Sequence, residues 1–578
     1  MNMIMMGLSR ILRLAILLFL ISGPVFGQNM LYHHGIDNLF KDSGEIYFRF
    51  QVEDKAVIDE FSRIVSIDKA QADGTVHAYA NRKEFSSFLE YSIPYEVLPH
   101  PGYYEGDLNM KDRIDIREPL EWDFYPTYEA YVDMMYQYAA QYPSLCQVFS
   151  IGTTNVGREL LIARISDNIG IHENEPQFLY TSTMHGDETA GYVLMLRLID
   201  YLLSNYGTDP RVTSLVDNIE IWINPLANPD GTYWGGNNTV NNAKRYNAQG
   251  VDLNRNYPDP EAGPHPDGND WQVETVAFMQ MAEDHHFVSS ANIHGGAEVC
   301  NYPWDTWSHL AADNDWWVYV CREYADTAHL YSPSGYMSGF DNGITNGYAW
   351  YSITGGRQDY MNYFHQCREF TLEISNTKLL PPQQLPAWWN YNYRSLLNYM
   401  EQSVFGLRGI VRDSVTGWPM KAEVYALSHE LDSSWVYSSL PTGKYHRLLP
   451  AGTYSVRYAA PGYATKVIHN VTVANRQATY LDVSLVPDGG GVGSVDQYLV
   501  SQHIKIRPNP VKGYMIKYES EYLIESVCLY DVSGKILAEW TEGKMEGHLD
   551  LGPVTNGFYY LRFKTAEGWG LKKLVIDR

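Results

Sequence analysis

The segment TMHGDETAGY, residues 181–190, sets His185 three positions before Glu188 where an apolar run ends. An imidazole and a carboxylate are two of the three protein ligands that an open zinc site needs, the fourth position being kept for water or substrate. The pair alone fits a polar loop opening a helix equally well, so the third ligand must come from elsewhere. His294, in SSANIHGGAEVCNYPWD at the end of another β-like segment, is the candidate. Other histidines have weaker claims: His33 and His34 lie near the N-terminus, His285 and His286 in a charged stretch, and His265 in a Pro/Gly loop. Cys146, Cys300, Cys321, Cys367 and Cys528 include no Cys-x-x-Cys pair, which argues against a cysteine zinc cluster and leaves their pairing open.

The elements that must position these residues follow an α/β rhythm. PQFLYTST reads as a buried strand, ETAGYVLMLRLIDYLLSNYG as an amphipathic helix closed by Gly207, and IEIWINPLANPDG as a strand and turn. His185 then sits at the carboxyl end of a strand and Glu188 in the first turn of the next helix, the edge where open α/β sheets bind ligands. Upstream, EIYFRFQVED, KAVIDEFSRIV, TVHAYA, RKEFSSFLEY and PYEVLP alternate as strand, helix, strand, helix, strand, a small α/β unit. Past residue 405 short β segments predict an antiparallel sandwich, then the linker PDGGGVGS, then a second β unit.

With 578 residues, 45% hydrophobic content and 14% aromatics, the chain can bury several cores. Its net charge of −25 lacks the basic footprint of a nucleic-acid surface. Arg10 and Arg13 precede LAILLFLISGPVFG, an apolar stretch too short to span a membrane and ending in a small-residue cleavage site before Gln28, so it reads as a signal peptide. No other stretch approaches transmembrane length, and no transmembrane segment is expected in the mature form.

Six blocks, HGDE, NPDG, RYNAQGVDLNRNYPD, NIHGGAEVCNYPWD, GITNGYAWYSITGGRQD and FTLEIS, occur in the order seen in zinc metallocarboxypeptidases. Residues 120–400 resemble the carboxypeptidase A-like clan, nearer its regulatory N/E-type branch. LLPAGTYSVRYAAPGY resembles the transthyretin-like domain of that branch, and IRPNPVKG with LYDVSGKIL resembles the type A sorting domain of type IX secretion cargo. The resemblance implies one Zn2+ held by His185, Glu188 and His294, with Glu373 as the general base and Arg245 as the oxyanion stabiliser, adjacent Lys244 being the competing cation. It implies Asn254, Arg255 and Tyr351 as holders of the substrate's terminal carboxylate, and Asp305 and Gln358 as the floor of a pocket for basic side chains. Arg357 departs from the branch's GGMQD, a nearby cation that could weaken that preference.

The expected layout is a signal peptide over residues 1–27, a propeptide-like α/β domain and linker over 28–117, and a mixed-sheet α/β catalytic domain over 118–405. A β-sandwich over 406–486, a linker over 487–497 and a sorting domain over 498–578 follow. The first α/β unit is expected to cover the active-site mouth until a cut in the Lys111–Arg117 stretch releases it, with a permanent accessory domain as the alternative. The expected partners are peptide or protein C-termini and, through the C-terminal domain, a secretion machinery. The function implied is removal of C-terminal Lys or Arg outside the cell or at its surface. A carboxypeptidase of broad or cell-wall-peptide specificity and an inactive peptide-binding relative are the alternatives.

Overall fold

The computed structural model describes residues 39–40, 44–71, 73–171, 173–488, 503–531, 535–565 and 568–578. The signal-peptide reading and most of the glycine linker lie outside them. Among the described residues no helix is long and apolar enough to cross a membrane.

The first unit has one strand more than its sequence pattern predicts. Its order is β1 (Glu45–Gln51), α1 (Lys55–Phe61), β2 (Ser66–Ala70), β3 (Thr75–Asn81), α2 (Arg82–Leu89) and β4 (Tyr95–Leu98). The sheet runs β2-β3-β1-β4 with every neighbouring pair antiparallel. Alternation along β1 aims Phe48 and Phe50 into a core with Phe61, Phe85 and Phe88, separate from the core of the catalytic unit. β2 escapes a pattern search because SIDKA is short and its Asp68 and Lys69 look like turn residues.

The catalytic unit is built on an eight-stranded mixed sheet. Its strands are β5 (Cys146–Thr153), β6 (Glu159–Ile165), β7 (Gln177–Ser182), β8 (Glu220–Asn224), β9 (Phe287–His294), β10 (Glu298–Tyr302), β11 (Ile344–Asn346) and β12 (Arg368–Ile374). They run in the order β11-β10-β12-β9-β7-β8-β6-β5, and β12, β9, β7 and β8 are mutually parallel. Parallel strands buried on both faces read as near-continuous apolar runs, as QFLYTS and EIWIN do. The helix Ala190–Asn205 covers one face with Leu194, Leu198 and Leu202.

The Lys111–Arg117 stretch belongs to the catalytic unit. Lys111 lies in a two-residue strand paired with Tyr125–Pro126, and Leu108, Ile114 and Ile116 are buried in the catalytic core. The expected boundary at residue 117 therefore moves back. The exposed crossing is Glu105–Asp107, just after Tyr104, whose backbone N–H and carbonyl are both held by the Asn241 side chain.

Residues 406–486 form two four-stranded sheets around their own core. The last unit is one five-stranded antiparallel sheet whose long strands, Met515–Tyr530 and Ile536–Asp550, shift register near Ile524 and enclose a further core.

A buried ionic knot ties the sandwich to the catalytic unit. Asp313 accepts from Arg368 at 2.6 Å, from Arg447 at 2.8 and 2.9 Å and from His429 at 2.8 Å, and Arg447 also reaches Glu430 at 2.7 Å. Burial alone would raise the Asp313 carboxyl, but Arg447 and Arg368 hold it far below the ordinary range. Arg368 opens β12, so the sandwich buttresses the strand that ends near the cleft. Removing one member of such a set leaves buried charges unpaired. Asp313→Asn is therefore expected to cost about 3–5 kcal/mol of stability at neutral pH in chemical denaturation. The depressed carboxyl contributes fully above the unfolded pKa of about 3.9 and is lost only as pH falls below it. A variant as stable as the wild type at pH 7 would refute the buttress.

Candidate active site

The parallel register of β9 and β12 sets His294 directly beside Glu373, while β7 pairs Ser182 with Ile293 just before the His185 loop. His185 and His294 are both 2% exposed, and their Nδ1 atoms lie 3.1 Å apart. Each faces one oxygen of Glu188: His185 Nδ1 lies 2.8 Å from Oε1 and His294 Nδ1 2.9 Å from Oε2. Glu188 precedes the helix rather than sitting in its first turn, since the helix begins at Ala190. The Gly295 N–H donates to Glu188 Oε2 at 3.0 Å.

Two imidazole nitrogens and a carboxylate, buried with their ligand atoms within 4.8 Å of one another, are a donor set that suits zinc. His185 Nε2 lies 3.0 Å from Asp252 Oδ1, the kind of acceptor that the outer N–H of a metal-ligating histidine requires, while His294 Nε2 lies 2.8 Å from the Asn292 Nδ2 amide. Burial lowers the His294 pKa to about 4, which keeps that ring neutral and its lone pair available. Burial would raise Glu188, but His185, Lys378 and His294 outweigh it and hold the carboxylate well below its usual range.

Glu373 reaches the same cleft, and its Oε2 is buried without a hydrogen-bond partner. Burial, reinforced by Glu188, raises its pKa to about 8, and a divalent cation beside it would oppose that rise. Arg245 is the cation of its pair that lines the cleft; Lys244 instead lies over the Trp234 ring, 3.1 Å from its centroid. Nε and Nη2 of Arg245 each bond Asp252 Oδ2 at 2.9 Å, which fixes the guanidinium 3.6 Å from Glu188.

Asn254, Arg255, Tyr351 and Asp305 line the same cleft. The Arg255 Nη1 donates to the Asn254 carbonyl, and its buried Nε has no partner. The Asn254 Oδ1 accepts the Arg357 N–H at 3.0 Å, which leaves its amide NH2 for a ligand. Asp305 is 3% exposed and accepts from Asn301 at 3.2 Å and Gln358 at 3.1 Å, while Gln358 Oε1 accepts the Thr371 N–H at 2.7 Å. A Cβ at Gly347 would come within 1.7 Å of Asp305 Oδ1, so only glycine lets the carboxylate lie there. Arg357 turns away into the core, where it pairs with Glu369 at 3.1 Å and donates to Thr181 Oγ1. The cation that could weaken basic specificity is thus neutralised by Glu369, outside the cleft.

Sequence reasoning missed Asp252, which orients both His185 and Arg245, although it stands inside the quoted block VDLNRNYPD. It also missed two residues that no motif marks, Lys378 and Asp68. β2 of the first unit lies across the cleft: Ser66 Oγ donates to Asp252 at 2.6 Å, the Ile67 carbonyl accepts from Tyr351 at 3.1 Å, and Asp68 pairs with Lys378 at 2.6 Å. Tyr79 donates to Asp187 at 2.6 Å, and Glu45 accepts the N–H groups of Arg245 and Tyr246 at 2.8 and 3.1 Å.

Comparison with known proteins finds three matching domain families along the chain. A zinc carboxypeptidase family model matches residues 131–395, a carboxypeptidase regulatory-like domain 406–486, and a secretion system C-terminal sorting domain 505–577. Carboxypeptidase D of Homo sapiens is 36% identical over 367 residues, 61% of this chain and 26% of that protein. The carboxypeptidase N catalytic chain of Homo sapiens is 35% identical over 397 residues, 62% of this chain and 85% of that one. Carboxypeptidase M of Mus musculus is 35% identical, covering 57% of this chain and 77% of that protein. The chain thus spans 26% of the length of the carboxypeptidase D relative. A solved carboxypeptidase A from Helicoverpa armigera overlays at a TM-score of 0.48 with 18% identity, covering 62% of this chain and 97% of that one. The chain belongs to the zinc carboxypeptidase family. Its terminal sorting domain indicates export, to the cell surface or beyond it.

Because Asp252 orients His185, Asp252→Asn should weaken zinc about 10–100-fold while leaving all three ligands in place. Competition against a chromophoric chelator measures this. Unchanged affinity would remove Asp252 from the metal's support.

Proposed function

We propose that this chain is an exported zinc-dependent carboxypeptidase that removes C-terminal Lys or Arg, and that its first α/β unit restrains it until the Glu105–Asp107 crossing is cut. The observation that carries the specificity is the buried Asp305 carboxylate in the same cleft as the unpaired Arg255 Nε.

His185, Glu188 and His294 would hold the zinc. When bound, the metal supplies a Lewis acid that polarises the scissile carbonyl and acidifies a water. Arg255 and Asn254 grip the substrate's terminal carboxylate, which a planar guanidinium can hold with two parallel hydrogen bonds. Only a chain end presents that group, so the clamp selects an exopeptidase. Tyr351 closes over it once the Ile67 carbonyl has gone. The guanidinium of Arg245, immobilised on Asp252, stabilises the negative charge that develops on the carbonyl oxygen. Glu373 takes the proton from the attacking water and returns it to the leaving amine. The substrate's ammonium or guanidinium pairs with Asp305, whose acceptor position Gln358 and Asn301 fix.

Support for restraint comes from the hydrogen bonds of β2 and from a first unit with its own core, which can leave without opening the catalytic core. The exposed Glu105–Asp107 segment fits a protease better than the anchored 111–117 stretch.

Burial raises the Asp305 pKa to about 6. Below that value the carboxyl is neutral and cannot pair with a cation. The ratio of kcat/KM for terminal Arg over terminal Leu should therefore fall as pH drops through about 6, and Asp305→Ala should flatten it. The deciding assay follows release of Lys, Arg, Leu and Glu from matched peptides by zinc-loaded protein, intact and cut at 105–107, with Glu373→Gln as control. Release of Lys and Arg that rises on cutting and disappears in the control is expected. Equal activity of both forms would overturn the restraint. Preferential release of Leu would overturn the basic pocket, and no release by either form would overturn the enzyme.

A further inference from the structure

Lys378 is a buried cation that the roles above leave unused. Its side chain is 4% exposed, and its Nζ lies 2.6 Å from Glu188 Oε1 and 2.6 Å from Asp68 Oδ1. It lines the same cleft as Arg245, Tyr351 and Glu373. Half of its ionic pairing comes from the first unit. When that unit leaves, the ammonium loses its direct pairing with Asp68, keeps Glu188 and the nearby Asp187, and faces the cleft, where a buried charge so exposed to an incoming chain favours an anion.

The position of Lys378 defines which part of a substrate would meet it. The terminal side chain is received by Asp305 beside Gly347 and Asn301. Lys378 lies instead against Gly296, where a Cβ would come within 2.6 Å of Nζ. β2 crosses the cleft with the opposite polarity to a substrate, since Asp68 follows Ile67, but it shows that a residue adjacent to the one at Tyr351 can set a carboxylate on Lys378. The Ile67 carbonyl accepts from Tyr351 and the carboxylate of the next residue, Asp68, meets Lys378. A second hydrogen bond, from Tyr47 at 2.9 Å, steadies that carboxylate from within the first unit.

We propose that Lys378 is a specificity residue of the processed enzyme, receiving an acidic side chain from the residue just before the scissile bond. Asp68 is then the built-in occupant of this subsite, displaced when the first unit departs. Peptides ending in Glu-Arg or Asp-Arg are the favoured substrates, and those ending in Lys-Arg meet repulsion from Lys378 and Arg245. The inference rests on the carboxypeptidase reading.

The test uses the full chain cut at 105–107 and loaded with zinc, with peptides identical except for a penultimate Glu, Ala or Lys before terminal Arg. A charge-assisted hydrogen bond predicts kcat/KM about tenfold higher for Glu than for Ala, with Lys lowest. Lys378→Met should bring the Glu-to-Ala ratio to about one, and Lys378→Arg should restore it; the ratio cancels any uniform loss from the neighbouring Glu188. An active wild type that cuts the Ala peptide as fast as the Glu peptide overturns the proposal without any variant. An unchanged ratio in Lys378→Met also overturns it. Absence of Arg release from every peptide would instead refute the carboxypeptidase reading itself.

Discussion

Glu188 carries the constraint around which the site is organised. A carboxylate 2% exposed is costly to leave unpaired, and this one gathers two imidazoles, an ammonium and a backbone N–H. Those partners in turn demand their own: Asp252 for His185 and Arg245, Asp68 for Lys378. Each partner satisfies a buried charge or donor, and together they fix the geometry that metal chemistry needs. The same low-dielectric setting, with Glu188 nearby, pushes Glu373 toward the protonated side.

The frame holds this cluster through sheet register rather than through local sequence. Parallel pairing of β9 and β12 sets His294 beside Glu373, and the buried knot at Asp313 anchors the far end of β12 to the sandwich. The regulatory-like domain is therefore continuous with the catalytic support. The first unit, by contrast, keeps its own aromatic core and meets the catalytic unit through polar and ionic contacts at the cleft and through a tyrosine cluster, Tyr47 and Tyr79 with Tyr246.

Much of this was legible in the chain because motif residues sit close together: HGDE, DLNRN and FTLEI each bring several functional groups into a few positions. Asp305 and Gln358 stand within NYPWD and GGRQD, and the fold brings their side chains together at 3.1 Å. What escaped depends on contacts between distant segments. Nothing in SIDKA announces that Asp68 meets Lys378, more than three hundred residues later. Arg357 looked like an intruder in the pocket because only the fold brings Glu369 against it. The basic residues at 111–117 looked like a cleavage site, yet Ile114 and Ile116 between them are core residues.

The central claim is that His185, Glu188 and His294 form one zinc site, and X-ray absorption at the zinc edge on the purified full chain tests it most directly. The account predicts one zinc per chain with two imidazole nitrogens and oxygen neighbours, and loss of that signature in His294→Ala. A sulfur-ligated spectrum, or zinc absent at stoichiometric loading, would contradict it.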